Sequence, residues 1–312
     1  MYIKNKITFL VLHFYSSKHR LDYILLSIFP EYSRSFLKKM ILSKKILVNN
    51  LYTDKVKKNI FLGDHITIFV KNKKNNIHVG ENISLNIVYE DSDILIINKS
   101  FGLVVHPGNG NPKGTLLNAL LYRNIAFHSI PRAGIVHRLD KNTTGLMIIA
   151  KNITVYLKLK KLMKDKKIIR KYDAFVLGNL VSGGKINIPI IRNPKKRIYM
   201  TTNDVGKSAI TYYKIIQKFR YYTHLNIKLE TGRTHQIRVH MLYIRFPILG
   251  DPVYFLRNDF SRIPIDCLNK VKFFHRQALH ASYITFVHPI TNIIISCYAA
   301  IPSDMVNIIK YL

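Results

Sequence analysis

One acidic residue stands out in a stretch that otherwise carries basic and apolar side chains. Residues 134–145 read GIVHRLDKNTTG, in which Asp140 follows His137 and Arg138. The apolar start predicts a strand, GIVH, so a carboxylate after it would project from a rigid edge into whatever cleft the sheet borders. The competing interpretation is an Asx-type turn, in which Asp140 accepts hydrogen bonds from backbone amides near Asn142 and Thr143. For an arbitrary Asp before a Thr-Gly turn, that second interpretation is the commoner one.

Other arrangements that could carry chemistry fail on spacing. Gly206-Lys207-Ser208 looks like the end of a phosphate-binding P-loop, but Thr201 occupies the position of the required earlier glycine. His235 and His240 are five residues apart, so they do not share the helical face that zinc ligands of the H-E-x-x-H type need. A glycosidase or a hydrolase would want a second carboxylate or metal ligands, and no partner for Asp140 stands out.

Composition favours a folded protein that binds polyanions. The 312 residues are 48% hydrophobic and carry 49 Lys and Arg against 17 Asp and Glu, a formal net charge of +32. A field of this sign favours nucleic acid. The chain is also rich in Lys, Asn, Ile and Tyr throughout, as an AT-rich genome would produce. About half of the excess charge is assigned to that drift, so charge needs a motif beside it.

The cysteine count, the N-terminal stretch and the length of the apolar runs predict the compartment of the protein and whether it contacts a membrane. The two cysteines, Cys267 and Cys297, are too few for a disulfide framework or a Cys-based zinc site. The start, MYIKNKITFLVLHFYSS, resembles a signal peptide but lacks a small-x-small cleavage site, so we expect an opening strand. No apolar run reaches the ~18 residues of a membrane-spanning helix. We therefore expect a cytoplasmic protein with no membrane partner.

The first quarter of the chain predicts a small basic unit. Residues 20–43 divide at Pro30 into two short helical patterns, followed by the strand-like ILVN and GDHITIFV. The resulting order is helix, helix, strand, strand. Cations crowd the helical pair: Arg20, Arg34, Lys38, Lys39, Lys44 and Lys45.

The rest of the chain is strand-rich, with helical patterns best developed at 115–123 and 153–163. Many strands with few alternating helices predict an α+β protein with a mixed, largely antiparallel sheet. We place a small unit at 1–75, with a core at about 18–70, a linker at 76–84, and a catalytic domain at 85–312.

The stretch around Asp140 resembles the active-site motif of the pseudouridine synthases of the ribosomal large-subunit type, H-R-L-D followed by Thr and Gly. The likeness continues, in the order and spacing of that family, over essentially all of 85–312. It is carried by DSDILIINKSFGLVVHPG, GTLLNALL, RKYDAFVLG, LETGRTHQIRVHM, GDPVY and RQALHA. The front segment is similar to an S4 RNA-binding domain.

The resemblance implies an isomerase that converts uridine in RNA to pseudouridine on a flipped-out nucleotide, with no metal or other cofactor. It assigns Asp140 as the nucleophile, a role that suits a carboxylate able to form and lose a covalent bond. Burial opposes the charge of such a group, and the family's remedy is a fixed cation, here assigned to Arg233. The alternative for Arg233 is an arginine that binds a phosphate at a turn.

Tyr172 matches the active-site tyrosine, and Ile237 is expected to form the apolar floor of the base pocket. Arg138 is expected either to intrude into the RNA or to contact a phosphate beside the flipped nucleotide. We expect structural or supporting roles, and not catalytic ones, for His137, His235 and Gln236.

The S4-like unit would bind phosphates without choosing the base. Lys45 and Asn50 stand where S4 domains usually carry Gly, and Lys accepts a left-handed turn less readily than Asn. In the catalytic part, Ser100 replaces the usual Pro after Lys99, and Asn142 replaces the commoner Asp.

Two types of synthase share this layout and differ in the uridines that they modify. The tract 181–217, with GGKINIPIIRNPKKR, favours the type that modifies the helix 69 stem-loop of 23S rRNA, whereas the other modifies different uridines of that rRNA. A catalytically idle RNA-binding or ribosome-assembly protein is the alternative from another class. The implied partner is 23S rRNA or the precursor of the large subunit, and a monomer is the default.

Overall fold

The protein is described from a computed structural model over residues 4–11, 19–29, 34–71, 78–108, 110–196, 198–255 and 274–309. Its chain divides into two compact units, Met1–Ile77 and His78–Leu312. Every predicted site residue lies within the described ranges, whereas Cys267 and part of the predicted linker lie outside them. No helix of these ranges is both long and apolar enough to cross a bilayer.

The N-terminal unit packs two helices on an antiparallel sheet of strand order β1-β4-β2-β3. Its elements are β1 (Lys4–Leu10), α1 (Leu21–Ile28), α2 (Arg34–Leu42), β2 (Ile46–Val48), β3 (Leu51–Tyr52) and β4 (His65–Lys71). The helical repeats predicted from the sequence bury Leu21 and Leu25 of α1 against Leu37 and Ile41 of α2.

Turns of this unit adopt left-handed backbone at Lys44 (φ 51°) and Asn50 (φ 63°). The conformation expected at Lys45 therefore falls one residue earlier, because α2 ends at Leu42 and its first following turn is centred on Lys44. Asn50 occupies the second such position as expected, and asparagine tolerates this conformation well.

The C-terminal unit is built on one large sheet. Among its described residues the strands are β5 (Ile87–Glu90), β6 (Ile94–Lys99), β7 (Thr144–Ala150), β8 (Ile169–Leu177), β9 (Gly184–Asn187), β10 (Ile190–Arg192), β11 (Met200–Thr202), β12 (Ile210–Lys218), β13 (Tyr222–Leu229), β14 (Leu279–Val287) and β15 (Ile294–Tyr298). Nine of these form the sheet, in the order β5-β6-β7-β14-β8-β13-β12-β9 with β15 on β14, while β10 and β11 pair separately. Only β7 and β14 run parallel. The prediction of a mixed, largely antiparallel α+β fold is confirmed.

Two of the four helices described in the C-terminal unit begin at side-chain caps. They are α3 (Leu116–Arg123), α4 (Ile153–Lys164), α5 (Gln236–Tyr243) and α6 (Ser303–Ile309), with 3-10 turns at Ile125–Ser129 and Pro131–Gly134. Thr115 and Asn118 form a capping box at α3, and the Asn152 side chain accepts from Val155 N at 2.9 Å to start α4. Both helices agree with the predicted segments to within a residue or two.

The segment that leads to Asp140 is not the strand predicted from GIVH. Left-handed backbone at Arg132, Ala133 and Gly134 bends the chain, and Ile135 then makes a single bridge to Ile149 of β7. Beyond it, the His137 side chain accepts a hydrogen bond from Ile148 N at 3.0 Å, where a neighbouring strand would have offered a carbonyl. A side chain thus takes the place of a strand partner and leaves the chain free to turn.

Candidate active site

Asp140 lies in a cleft of about 1280 Å³ in the C-terminal unit, and its side chain is 17% exposed. Backbone alone closes the turn after it, because Thr143 N donates to the Asp140 carbonyl oxygen at 3.1 Å. The carboxylate instead bonds Arg238, 98 residues along the chain. The structure therefore favours a carboxylate presented to a cleft over the Asx-type turn.

Arg238 holds two carboxylates together. Its Nη1 donates to Asp140 Oδ2 at 3.0 Å, while Nε and Nη2 donate to the two oxygens of Asp251 at 2.7 and 2.8 Å. Burial opposes the charge of this guanidinium, but the hydrogen bonds and charges of Asp251 and Asp140 hold its pKa above the ordinary value. A permanent cation thus lies against Asp140, oriented from behind by a carboxylate with no exposed surface.

The other four predicted residues of the catalytic part line the same cleft: Tyr172, Ile237, Arg138 and Arg233. Tyr172, on β8, is 5% exposed, and burial raises the pKa of its phenol, with the charge of Arg170 opposing and that of Asp140 adding to the effect. Ile237, the second residue of α5, is 4% exposed. Arg138 is exposed beside Asp140. The cleft therefore holds a carboxylate, a neutral phenol and an apolar wall within one surface.

The ion pair predicted for Arg233 is wrong. Arg233 is exposed in the loop before α5, and its Nε donates to the Ser208 carbonyl at 3.0 Å. Arg238 pairs with Asp140 instead, because it lies within α5 on a buried side of the helix. Arg233 still lines the cleft, but its charge is held away from the carboxylate that it was predicted to stabilise.

Comparisons with known proteins agree on one family. Residues 93–243 match the family described as RNA pseudouridylate synthase. Ribosomal large subunit pseudouridine synthase D of Buchnera aphidicola subsp. Schizaphis graminum is 53% identical over 300 residues, 95% of each chain. The chain belongs to the RNA pseudouridylate synthase family. The synthase D of Escherichia coli K12 is 46% identical over 295 residues, 93% of this chain and 90% of that one.

Solved structures give the same fold. Human RNA pseudouridylate synthase domain containing 4 superposes with a TM-score of 0.59 at 25% identity, over 73% of this chain and 92% of that one. The resemblance stated from the motifs is confirmed, and with it the class of enzyme, an isomerase of the pseudouridine synthase type. Identity with synthases of the D type extends over nearly the whole chain rather than the catalytic motifs alone.

Buried polar residues that sequence reasoning missed hold the loop that follows Asp140 in this pseudouridine synthase. Lys99, 1% exposed at the end of β6, donates from Nζ to the carbonyl oxygens of Ser100, Leu103 and Lys141 at 2.8, 3.0 and 3.0 Å. Burial lowers the pKa of Lys99 to about 7, with the charge of Asp140 opposing this. Each of the three ammonium hydrogens therefore has a carbonyl acceptor, and one of these acceptors belongs to Lys141, the residue after Asp140.

The neighbouring residues of the loop are held from the C-terminal part of the chain. Gln277 donates from Nε2 to Thr143 Oγ1 at 3.0 Å, and Arg276 reaches the Asn142 carbonyl at 3.4 Å. Arg276 is itself fixed by two hydrogen bonds to Asp304 at the start of α6. The RQALHA motif carried the only sequence signal for these contacts, and nothing in it indicated which loop they would hold.

The side chain of Gln236, the first residue of α5, fixes the loop before that helix. Gln236 donates to the Ile210 carbonyl and to Thr211 Oγ1, each at 3.0 Å, and its Oε1 accepts from Arg233 N and Thr231 Oγ1. Gln236 is 3% exposed, so these four bonds satisfy its amide completely. The prediction of a structural role for Gln236 agrees with these contacts.

One group of potential metal ligands occurs in the described ranges, Asp91, Asp93 and His288. Asp91 accepts from the backbone N–H groups of Asp93 and Ile94, and its second oxygen lies 3.3 Å from His288 Nε2. None of the three lines the cleft of Asp140. The hydrogen bonds of Asp91 shape the turn between β5 and β6, and His288, just after β14, lies beside that turn.

Proposed function

We propose that this protein is a large-subunit rRNA pseudouridine synthase that modifies the helix 69 stem-loop of 23S rRNA, with Asp140 as the nucleophile. The observation that carries the proposal is the Asp140–Arg238 ion pair in a cleft that also holds Tyr172. The two relatives compared in sequence are both named for the large ribosomal subunit and for synthase D, which supports the D-type target over the C-type one.

Arg238 places a fixed positive charge beside the proposed nucleophile. A carboxylate attacks as the anion, and a hydrogen-bonded cation stabilises that anion in an enclosed cleft. Because an arginine does not lose its proton at neutral pH, this positive charge is present over the whole physiological range. Asp251 prevents the guanidinium from turning away, since it occupies the other two donors.

Tyr172 and Ile237 would receive the flipped-out uracil. In the reaction, the bond from N1 to C1′ breaks, the base turns over, C5 bonds to C1′, and the proton on C5 is lost. A phenol ring can stack on the base while its hydroxyl takes part in proton transfer at C5. Burial keeps the Tyr172 phenol neutral, so it would enter the reaction as a proton carrier and not as a phenolate.

Cations without ion-pair partners at the rims of the cleft would bind the RNA backbone. Arg132 and Arg138 line the cleft, and so do three lysines of α4: Lys160, Lys161 and Lys164. Within the described part of the chain, none of these five forms an ion pair, in contrast to Lys166, which pairs with Glu230. Free cations along a cleft suit a phosphate backbone that passes across it.

The N-terminal unit would add affinity through a groove of its own. Asp22, 3% exposed, pairs with Arg20 at 2.9 Å and Arg34 at 3.0 Å, so these two predicted phosphate ligands are partly neutralised and fixed in place. Other cations in the same unit remain exposed, namely Lys38, Lys39, Lys44, Lys55 and Lys57, and Lys58 is partly exposed. Three of them come from the 54–58 loop, which sequence reasoning did not include.

A monomeric, cytoplasmic enzyme is the form that we propose. Every residue assigned a chemical role comes from one chain and one unit, so the proposed reaction needs no second copy. The chemistry assigned to Asp140, Arg238 and Tyr172 asks for a nucleophile, a cation and a proton carrier, which these three side chains provide.

Pseudouridine mapping by carbodiimide and primer extension tests the proposal. We expect new stops in the helix 69 loop of in vitro transcribed 23S rRNA after treatment with the wild type, and none with Asp140→Ala. Stops at other uridines would keep the chemistry and overturn the target. An absence of stops with a wild type that still binds the RNA would point to an idle RNA-binding protein and overturn the activity.

A further inference from the structure

Tyr254 contacts both side chains that lie against the Asp140 carboxylate. Its hydroxyl is 2.8 Å from Nδ1 of His235, and its ring centre lies 4.9 Å from the guanidinium carbon of Arg238. The His235 Nε2 is 3.8 Å from Asp140 Oδ1, whereas Arg238 donates to Oδ2. Tyr254 is 4% exposed. It therefore supports two separate partners of one carboxylate.

Hydrogen bonds to Tyr254 determine the tautomer of His235. Met200 N donates to the Tyr254 hydroxyl at 2.8 Å. If Nδ1 of His235 also donated, the hydroxyl hydrogen would have no acceptor among the described residues. The hydroxyl therefore donates to Nδ1, and the proton of the neutral imidazole resides on Nε2, the atom that faces Asp140.

His235 is held neutral in this position. Burial lowers the pKa of its imidazole, against the charge of Asp140. The other charged groups that act on it are divided, since Asp251 favours the imidazolium whereas Arg238 and Arg138 oppose it. The neutral ring thus presents an N–H group to Asp140 without adding a second full positive charge. A second positive charge would weaken the carboxylate as a nucleophile.

We propose that His235 and Tyr254 are positioning residues for Asp140. In this arrangement the Tyr254 hydroxyl orients the imidazole, and the imidazole N–H faces Oδ1 at 3.8 Å, where its dipole attracts the carboxylate without a direct hydrogen bond. The tyrosine ring supports the guanidinium that holds Oδ2. The proposal rests on the proposed function, because it concerns the carboxylate assigned there as the nucleophile. It specifies the role of the His of the GRTHQIR stretch, for which the sequence predicted either a structural or a supporting role.

Backbone strain at His235 agrees with a functional position. Its φ of 55° and ψ of 21° lie in the left-handed region, which costs most residues other than Gly free energy of folding and which Asn, Asp and His adopt most readily. This conformation occurs at the residue immediately before α5, where the turn aims the ring at both Tyr254 and Asp140. Asparagine and aspartate adopt the same backbone, so the backbone alone does not explain a histidine here.

Two substitutions at His235 separate positioning from structure. Gln places its amide nitrogen near the position of Nε2 and keeps the donor to Asp140, whereas Asn keeps only a group near Nδ1 and its contact with Tyr254. We expect His235→Asn to lower kcat about tenfold and His235→Gln to retain most of it, with the KM for the 23S transcript within about twofold of wild type for both.

Stability should follow the opposite order. Because Asn tolerates the left-handed backbone, His235→Asn should melt at or above the temperature of His235→Gln. A kcat that follows the melting temperature, with Asn the better substitute, would overturn the proposal. Wild type is assayed on the same transcript, so that failure of the proposed function would show as an inactive wild type rather than as a change in this order.

Tyr254→Phe tests the other member of the pair. It keeps the ring against Arg238 and removes the hydroxyl that orients His235, so we expect kcat to fall about fivefold in the wild-type background and not further in His235→Asn. Tyr199→Phe is the matched control, because Tyr199 packs edge-on against the Tyr254 ring at 6.4 Å. Independent, additive losses from Tyr254→Phe and His235→Asn would contradict a shared role.

Discussion

Arg238 bonds Asp140 and Asp251 through three different guanidinium nitrogens, and this sets what a substitution there should do. Lys in its place would keep a charge but could not reach both carboxylates with one ammonium group. We expect Arg238→Lys to lower kcat about 100-fold, whereas Arg233→Lys, in the exposed loop, should lower it less than about fivefold. Single-turnover rates on one 23S transcript measure both.

Lys is a cleaner substitute than Met at this position, because Met would leave Asp251 buried and without a cation, at a cost of about 3 kcal/mol or more in stability. Equal losses for Arg238→Lys and Arg233→Lys would contradict the assignment of the ion pair. Both variants should be shown to melt near the wild-type temperature before their rates are compared.

Lys99 is the residue through which pH should act on stability. Its pKa is about 7 in the folded protein against an ordinary 10.5, so between these values the unfolded chain binds more protons than the folded one. The free energy of unfolding therefore rises with pH in this window, and the cost of charging Lys99 is full below about pH 7. We expect wild type to gain about 2 kcal/mol relative to Lys99→Met between pH 7 and 9.

Urea unfolding at pH 7 and 9 measures this gain, with Lys158→Met as the control. Lys158 is exposed on α4, so its substitution should leave the pH dependence unchanged. A gap between Lys99→Met and wild type that is constant across the window would show that Lys99 does not titrate there. A gap that moved in favour of Lys99→Met would reverse the sign of the argument.

At the scale of elements, the parallel pairing of β7 with β14 depends on Gly145. A Cβ at this position would lie 2.3 Å from the Ala281 carbonyl oxygen and 2.4 Å from its nitrogen, and its φ is +116°. We expect Gly145→Ala to lower the free energy of unfolding by more than about 3 kcal/mol, because both strands would have to separate. Thermal or denaturant unfolding measures the loss.

Two other glycines provide matched controls for that substitution. Gly102 has a φ of +80°, but a methyl group added there would meet nothing within 4 Å, so Gly102→Ala should cost about 1 kcal/mol from backbone strain alone. Gly108 has neither feature, and Gly108→Ala should be nearly neutral. Similar losses at Gly145 and Gly102 would show that close approach of the strands contributes little.

Secondary structure could be predicted best from the sequence for elements that local hydrophobic periodicity determines. The strands β6 and β7 are short apolar runs that are almost wholly buried, and α4 repeats its apolar residues at helical spacing, so their existence followed from pattern. GIVH has the same composition as a strand, but the bend at 132–134 and the bond from Ile148 N to His137 prevent one. Both causes involve residues distant in sequence or conformations that composition does not reveal.

The candidate site also contains residues that the sequence could identify and residues whose role only the fold reveals. Asp140, Tyr172 and Ile237 were found by motif, because each stands at one fixed place in its stretch. The cation was misassigned because GRTHQIR contains two arginines five residues apart, and only the start of α5 at Gln236 decides which one faces inward. Lys99 and Gln277 could not be found at all, since their role depends on carbonyls and hydroxyls brought close by the fold.

At the scale of the whole molecule, the net charge of +32 raises the question of which cations serve RNA. Composition alone cannot distinguish lysines and arginines that bind phosphates from those that an AT-rich genome would produce without selection for binding. Position can do so, because a cation contributes to RNA affinity chiefly where it displaces a counterion from a bound phosphate. The lysines of α4 that line the cleft should therefore differ from equally exposed lysines elsewhere in the same unit.

We predict this difference for two triple variants that each lower the formal charge from +32 to +29. One replaces the cleft lysines Lys160, Lys161 and Lys164 with Gln, and the other replaces the exposed sheet lysines Lys214, Lys218 and Lys228, which do not line the cleft. The cleft triple should reduce the slope of log K against log salt by about 2, since each lost phosphate contact removes ~0.7 to 0.9. The sheet triple should leave the slope of log K against log salt unchanged within error.

Filter binding of the 23S transcript from about 50 to 200 mM salt measures both slopes. Equal changes in the two variants would mean that the whole field of the protein, and not the rims of the cleft, binds the RNA.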